Sequence, residues 1–342
     1  MIKRKAILTT KTLVSHGSEK SRIRPESLPS GARDNYMPFR RIPVVLQNGD
    51  AKTIVNIPAI SGNSIRHLLR EELADFTLFT LGLDKKNLDK NTLDLFMNGG
   101  GMDKKDTDRN DKENKEGLTP NYPILVRDRE TLRSVLPIFS LFGCSYGNRM
   151  IGGLVKVGWA IPALKQTEHI TGVPSSISYN EDITSFQLLT RHDPNRDEEG
   201  TSKQAISYTE VLSAGIPLAH EISIDSNSTP LERSALQLAL DLFKQKPFIG
   251  GKSATGHGEV STDQWYEPFE ESSQIYIDYL KENKDVITEY IRLWHQPKEV
   301  VKVKNKKESI EFPIAHQLDQ IVNARHKALQ EQQSKFYQTI GS

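Results

Sequence analysis

The chain has 342 residues, 36% of them hydrophobic, and a net charge of +1 at pH 7. That length can bury a real core in one large or two ordinary domains. A membrane span needs about 18 consecutive apolar residues and none occurs; the opening MIKRKAILTT lacks the apolar core of a secretory signal, so a cytoplasmic protein is expected. The one cysteine, Cys144, excludes an internal disulfide and a thiolate cluster of the structural-zinc kind. The near-neutral total hides polarity: residues 1–41 hold ten Lys or Arg against three acids, and residues 263–292 hold eight acids against three bases. Such asymmetry suits a nucleic-acid-facing surface with an acidic back, or copies stacked head to tail; it also suits a flexible basic arm beside an unrelated acidic helix.

Residues 5–14, KAILTTKTLV, read as a strand. A long basic loop follows, with Arg22, Arg24, Arg33 and Asp34 among prolines and glycine. In IPVVLQNGDAKTIVNIP, Asn48-Gly49 marks a two-residue hairpin turn between Val44, Leu46 and Ile54, Val55, Ile57.

Residues 58–73, PAISGNSIRHLLREEL, carry the most information. Ser61, Asn63 or Ser64 can cap a helix whose Ile65, Leu68, Leu69 and Leu73 recur at buried-face spacing, with Arg66 and Arg70 four apart on another face. Free amides at the helix start with cations beyond them make an anion seat. An ordinary capped helix with solvated arginines is the plainer alternative.

Residues 80–143 look like an insertion, whose stretch 102–117 carries eleven charges and predicts a mobile loop. A helix-like TLRSVLPIFSLFG ends at Gly143, and RMIGGLVKVGWAIPAL predicts a core strand through Leu154 to Ile161. Residues 165–214 read as a protruding polar hairpin or lobe with Phe186 and Leu188 on its approach. IPLAHEISI is a third strand. STPLERSALQLALDLFKQ is a helix with Thr229 as cap and Pro230 at its first position. GGKSATGHGEV leads into a short fourth strand. Helices follow, over Gln264 to about His295 and Ile314 to about Gln338, around a Lys-rich hairpin at VVKVKNKKESIEF. Without the insertions the order is strand, helix, strand, strand, helix, strand, the ferredoxin-like or RNA-recognition arrangement.

GGKSATGHG is not a nucleotide-hydrolysis loop, because GxxxxGK[ST] requires glycine where Lys246 stands, and the loop follows a helix instead of a strand. Gly250, Gly251, Lys252 and Ser253 still offer close backbone approach and donors for a phosphate. His67 and His257 flank neighbouring core elements and could approach each other. No histidine or carboxylate grouping has the spacing of a metal site or an acid-base pair. Asp34 is the one acid in the basic loop; it could hold Mg²⁺ or activate a 2′-OH, or simply pair with Arg33. Phe186 and Leu188 could wedge between bases or pack within the lobe.

The combination IPAISGNSIRHLLR, SLFGCSYGNRMIGGLVKVGWAIPA and GGKSATGHGEV resembles the RAMP superfamily, specifically the crRNA-binding backbone subunit of class 1 CRISPR effector complexes, and most of all its type IV form. The resemblance implies an α+β fold. It has an RNA-recognition-like palm (1–79, 144–164 and 215–263), a finger-like insertion (80–143), a thumb-like insertion (165–214) and a C-terminal helical extension (264–342). It implies an antiviral-defence ribonucleoprotein in which copies of the subunit polymerise along a guide crRNA beside other effector subunits. A complementary target, DNA favoured, pairs with the guide, and a helicase is a possible partner. No cofactor and no membrane are implied. Ser61, Asn63, Ser64, Arg66 and Arg70 match the palm motif, and Gly250, Gly251, Lys252 and Ser253 the second loop. Arg22, Arg24, Arg40, Arg41, His67 and Arg149 complete the expected RNA contacts, with Phe186 and Leu188 as thumb wedge. Type III relatives cut target RNA with an aspartate before the motif helix; this chain has FRRIPV at the comparable place, so a non-catalytic subunit is expected. The alternative is a metal-dependent endonuclease using Asp34.

Overall fold

The computed structural model describes residues 1–17, 36–48, 51–100, 126–146, 149–179, 183–191, 205–293 and 315–340. Arg22, Arg24, Arg33, Asp34, the charged stretch 102–117 and the Lys-rich hairpin at 300–312 lie outside the described residues, and of Arg149 only the backbone is described.

Taken along the chain, β1 (Ile2–Thr9) and β2 (Val14–Ser15) are followed by β3 (Tyr36–Met37), β4 (Arg41–Asn48), β5 (Ala51–Pro58) and helix α1 (Gly62–Leu81). Next come α2 (Lys90–Asn98), α3 (Val126–Val135), α4 (Pro137–Phe142), β6 (Cys144–Tyr146), β7 (Arg149–Ile151), β8 (Val155–Val157) and β9 (Ile161–Pro162). The rest is α5 (Glu168–Thr171), β10 (Thr184–Arg191), β11 (Ala205–Leu212), β12 (Pro217–Ile224), α6 (Pro230–Gln245), α7 (Gln274–Glu282), α8 (Lys284–Leu293) and α9 (Ala315–Ile340).

The main sheet is built on β1, which pairs antiparallel with β12 along its whole length, Ile2 opposite Ile224 and Thr9 opposite Pro217. On the far edge of β12 lie β8 and β9. On the free edge of β1 the segment after the glycine-rich loop bridges at Thr10–Val260 and Ile7–Gln264. In order of appearance the sheet therefore reads fourth, first, third, second, with α1 and α6 packed together on one face, as the expected strand and helix order requires. The inward residues Ala6, Leu8, Leu218 and Ile222 meet Ile65, Leu69, Leu73, Leu236 and Leu240 in one buried cluster. The fold is α+β, as the motifs imply.

Two strands differ from the sequence expectation. The run 154–161 is not one strand: it leaves β12 after Val157, bridges Ile60 at Ala160, and returns to β12 at Ile161. The start of α1 crosses there, and a Cβ on Gly62 would stand 2.2 Å from the Val157 carbonyl oxygen. The fourth strand is reduced to isolated bridges. The β4–β5 hairpin is present, with Arg41 opposite Pro58 and Asn48 opposite Ala51; residues 49 and 50 lie outside the described residues. Within 80–143, Leu95, Phe96, Leu132, Ile138 and Phe142 share one buried cluster with the main sheet and α1.

Helix α6 begins as expected. Thr229 Oγ1 accepts from the Glu232 amide while Glu232 Oε2 accepts from the Thr229 amide at 2.7 Å. Glu232, 1% exposed, also holds the C-terminal helix, since its Oε1 accepts from Arg325 of α9 at 2.9 Å and Arg325 reaches Glu130 at 3.0 Å. Residues 165–214 include the expected hairpin, β10 against β11 with Thr184 opposite Leu212. Its inner strand also takes on β2 antiparallel and β3 parallel, so the hairpin is stitched at its base to the N-terminal segment.

Candidate nucleic-acid interface

Ser61 is the cap of α1: its Oγ accepts from the Ser64 amide at 3.2 Å. The amides of Gly62 and Asn63 have no protein acceptor among the described residues, and the first turn carries no acid to compete with a ligand anion. The Ser61 amide donates to His16 Nε2 at 3.1 Å. An imidazole nitrogen accepts only when unprotonated, and burial together with the Arg40 charge lowers the His16 pKa to about 4, so the bond is intact at neutral pH.

One residue back, the Ser15 carbonyl accepts from the Gly251 amide at 2.7 Å, and Ser15 itself pairs with Val211 of β11. Gly250 has φ +78, and a Cβ there would stand 2.4 Å from the Ser15 oxygen, so both conformation and space demand glycine. Lys252 follows at φ 63, the only non-glycine residue with positive φ among those described. Its Nζ donates to Thr209 Oγ1 of β11 at 2.7 Å, and burial lowers its pKa. His257 is buried beside it, with Nδ1 lacking a partner; burial first, then the Lys252 charge, lowers its pKa.

The dipeptide Ser15-His16 thus joins the two phosphate-type motifs, touching the helix start on one side and the glycine-rich loop on the other. Through that dipeptide a capped helix N-terminus is tied to the glycine-rich turn and its lysine, a combination suited to a sugar-phosphate chain.

Several expected contacts are placed elsewhere. Arg66 and Arg70 do not share an open face. Arg66 donates to the Phe142 carbonyl, while Arg70, 5% exposed, donates to the Leu95 carbonyl at 3.3 Å and to that of Gly143. The C-terminal ends of α2 and α4 bring carbonyls against this side of α1; that of Leu95 also accepts from the Gly99 amide at 3.1 Å, and the guanidinium groups add donors to all three. Burial lowers both pKa values, that of Arg70 to about 10. Arg41 is ion-paired with the buried Glu210 of β11. His67 lies half-exposed 3.8 Å from Glu71, and no hydrogen bond joins it to His257 among the described residues. Asn63 and Ser253 are exposed and Ser64 is half-buried. Arg40 donates its amide to the His16 carbonyl at 2.8 Å. Phe186 and Leu188 are 48% and 52% exposed on β10.

The residues missed were His16, Thr209, Glu210 and Tyr36. Tyr36 sits next to the basic loop, where an aromatic among cations was a usable signal; the other three act through contacts 43 to 171 residues away in sequence.

Two histidines make stability pH-dependent. His220 donates Nε2–H to the Gly158 carbonyl at 3.1 Å and accepts from the Tyr266 hydroxyl at Nδ1, and burial lowers its pKa to about 4. With His16 it binds fewer protons in the folded than in the unfolded chain, where the pKa is near 6.5. This stabilisation is complete above about pH 6.5 and is lost as the pH falls towards 4, by roughly 3 kcal/mol for His220. Urea midpoints measured from pH 7 to 4 should fall, and the fall should be shallower in His220→Gln.

No helix among the described residues is long and apolar enough to cross a membrane. Residues 30–131 match the model of a family described as "CRISPR-associated negative auto-regulator DevR/Csa2". Among solved structures, the chain is similar to one of the "Type IV-B CRISPR Complex", at 20% identity and a TM-score of 0.49, covering 76% of this chain and 89% of that one. Comparison with curated proteins gives no match. Over the segment that carries the motif helix, the chain is similar to the CRISPR-associated DevR/Csa2 family, in line with the CRISPR-associated kinship that its motifs imply.

Proposed function

We propose that the chain is the crRNA-binding backbone subunit of a class 1 CRISPR effector complex, of the type IV kind, and acts by binding without cleaving. The observation that carries this reading is the junction at Ser15-His16, which ties the helix start, with the Gly62 and Asn63 amides lacking a protein acceptor among the described residues, to the Gly250-Gly251-Lys252 turn. These donors recognise phosphate geometry, not base identity, so the guide's bases stay available for pairing with a complementary target, DNA favoured. The opposed basic and acidic segments suit copies stacked head to tail along the guide, with other effector subunits at the ends and a helicase acting on the target.

Single-stranded RNA should bind with log affinity falling by about 0.7 per contacted phosphate for each tenfold rise in salt. Lys252→Ala should make that slope shallower by about 0.7. Size-exclusion mass should grow stepwise with RNA length. RNA-independent mass and an unchanged slope would refute the reading. Incubation with complementary RNA and Mg²⁺ should leave the RNA intact; cuts that disappear in Asp34→Ala would make the chain a nuclease.

A further inference from the structure

We propose that Glu210, a buried carboxylate of β11, is a positioning residue for RNA binding: it fixes the segment that carries Arg40, so that this arginine stands as the free cation beside the start of α1. The proposal rests on the RNA-binding reading above and adds to it a residue outside both motifs. Glu210 is 5% exposed and holds the segment 36–41 at three points. Its Oε2 accepts from the Phe39 amide at 2.8 Å and from the Tyr36 hydroxyl at 3.3 Å, and its Oε1 takes the Arg41 guanidinium. A buried carboxylate needs such donors, and together they fix the backbone at Phe39.

Arg40 is the next residue. Its amide donates to the His16 carbonyl at 2.8 Å, and its carbonyl accepts at 3.1 Å from the amide of Ala59, two residues before the Ser61 cap. The His16 ring stands edge-on to Phe39, with 6.0 Å between centroids, while its Nε2 accepts from the Ser61 amide at 3.1 Å. Arg40 is near enough to His16 for its charge to lower the imidazole pKa. The two neighbouring arginines are thereby put to different uses. Glu210 neutralises Arg41, whereas Arg40 has no carboxylate partner among the described residues, and its Nε is shielded from water without a hydrogen bond. A cation left in that state so close to a helix start whose Gly62 and Asn63 amides lack a protein acceptor favours an anion. Arg66 and Arg70, the cations of the motif itself, are spent on backbone carbonyls, and Arg40 takes their place.

The test is a double-mutant cycle on the full chain, read as affinity for single-stranded RNA over a range of salt concentrations, with urea denaturation to confirm folding. On charge alone, removing a carboxylate from a surface that binds a polyanion strengthens binding. The positioning role requires the reverse: Glu210→Ala should weaken binding roughly tenfold and make the salt slope shallower by about 0.7, the share of one phosphate contact. Arg40→Ala should do the same, and Glu210→Ala added to it should have no further effect. Glu210→Gln, which keeps an oxygen for the Phe39 amide, should recover most of the affinity. Should Glu210→Ala fail to fold, Glu210→Asp, whose shorter stem cannot span Phe39 and Arg41 together, carries the same cycle. Tighter or unchanged binding in folded Glu210→Ala or Glu210→Asp, or losses that add in the double variant, would overturn the positioning role alone; absence of RNA binding by the wild-type chain would overturn the functional reading as well.

Discussion

Replacing Arg70 with alanine will destabilise the RNA-free monomer by roughly 2–4 kcal/mol, the scale for losing the hydrogen bonds and the packing of one buried long side chain. The side chain is 5% exposed, spans the Leu95 and Gly143 carbonyls, and lies 5.7 Å from the Phe142 ring centroid. Its loss takes the donor from the Gly143 carbonyl, leaves the Leu95 carbonyl with the Gly99 amide alone, and opens a cavity between α1, α2 and α4. Gly99 belongs to the same arrangement, since a Cβ there would stand 3.1 Å from the guanidinium. Arg70→Lys should recover only part of the loss, because one ammonium cannot reproduce the planar fork. Chemical denaturation should show a lower midpoint at constant slope. With Arg70 buried against the ends of α2 and α4, assembly lost in Arg70→Ala would report folding. Unchanged stability with RNA binding abolished would restore Arg70 as a phosphate ligand.

The second large effect belongs to Gly250. A valine there faces a positive φ and a Cβ contact 2.4 Å from the Ser15 oxygen, a backbone atom that cannot swing aside. The turn must move, and with it Gly251, whose amide bonds Ser15, and Lys252, whose ammonium bonds Thr209. Gly250→Val should therefore lower RNA affinity roughly tenfold or more, the scale of one or two charge-assisted hydrogen bonds. Gly256 makes the control: its φ is +81 but a Cβ there meets nothing within 4 Å, so Gly256→Ala carries only local strain of about 1–2 kcal/mol. Filter binding on both variants, with circular dichroism to confirm folding, separates the loop's position from the strain. Equal affinity in the two would detach the glycine-rich loop from RNA.

Much of the fold was legible because it follows from local periodicity and caps. Thr229 with Pro230 and Glu232, and Ser61 before Ile65, Leu69 and Leu73, mark α6 and α1 in the sequence as they stand in the structure. What was not legible depends on partners far along the chain. An i, i+4 arginine pair reads the same whether it faces water or the carbonyl ends of two other helices, and only the approach of α2 and α4 decides between them. The alternation through Val155, Val157 and Ile161 promised one strand, but α1 crosses at Gly62 and interrupts it. His16 carried no local signal at all; its role comes from a bond to a residue 45 positions away. Of the site, the two motifs were visible as separate strings, and their meeting at Ser15-His16 was not.

The most direct measurement is photocrosslinking of RNA substituted with 4-thiouridine to the assembled protein, with the attached peptides identified by mass spectrometry. Crosslinks should fall on peptides containing His16, Ser61–Ser64 and Gly250–His257. Crosslinks confined to the acidic segment 263–292, or none above the level of a non-binding control protein, would contradict the account.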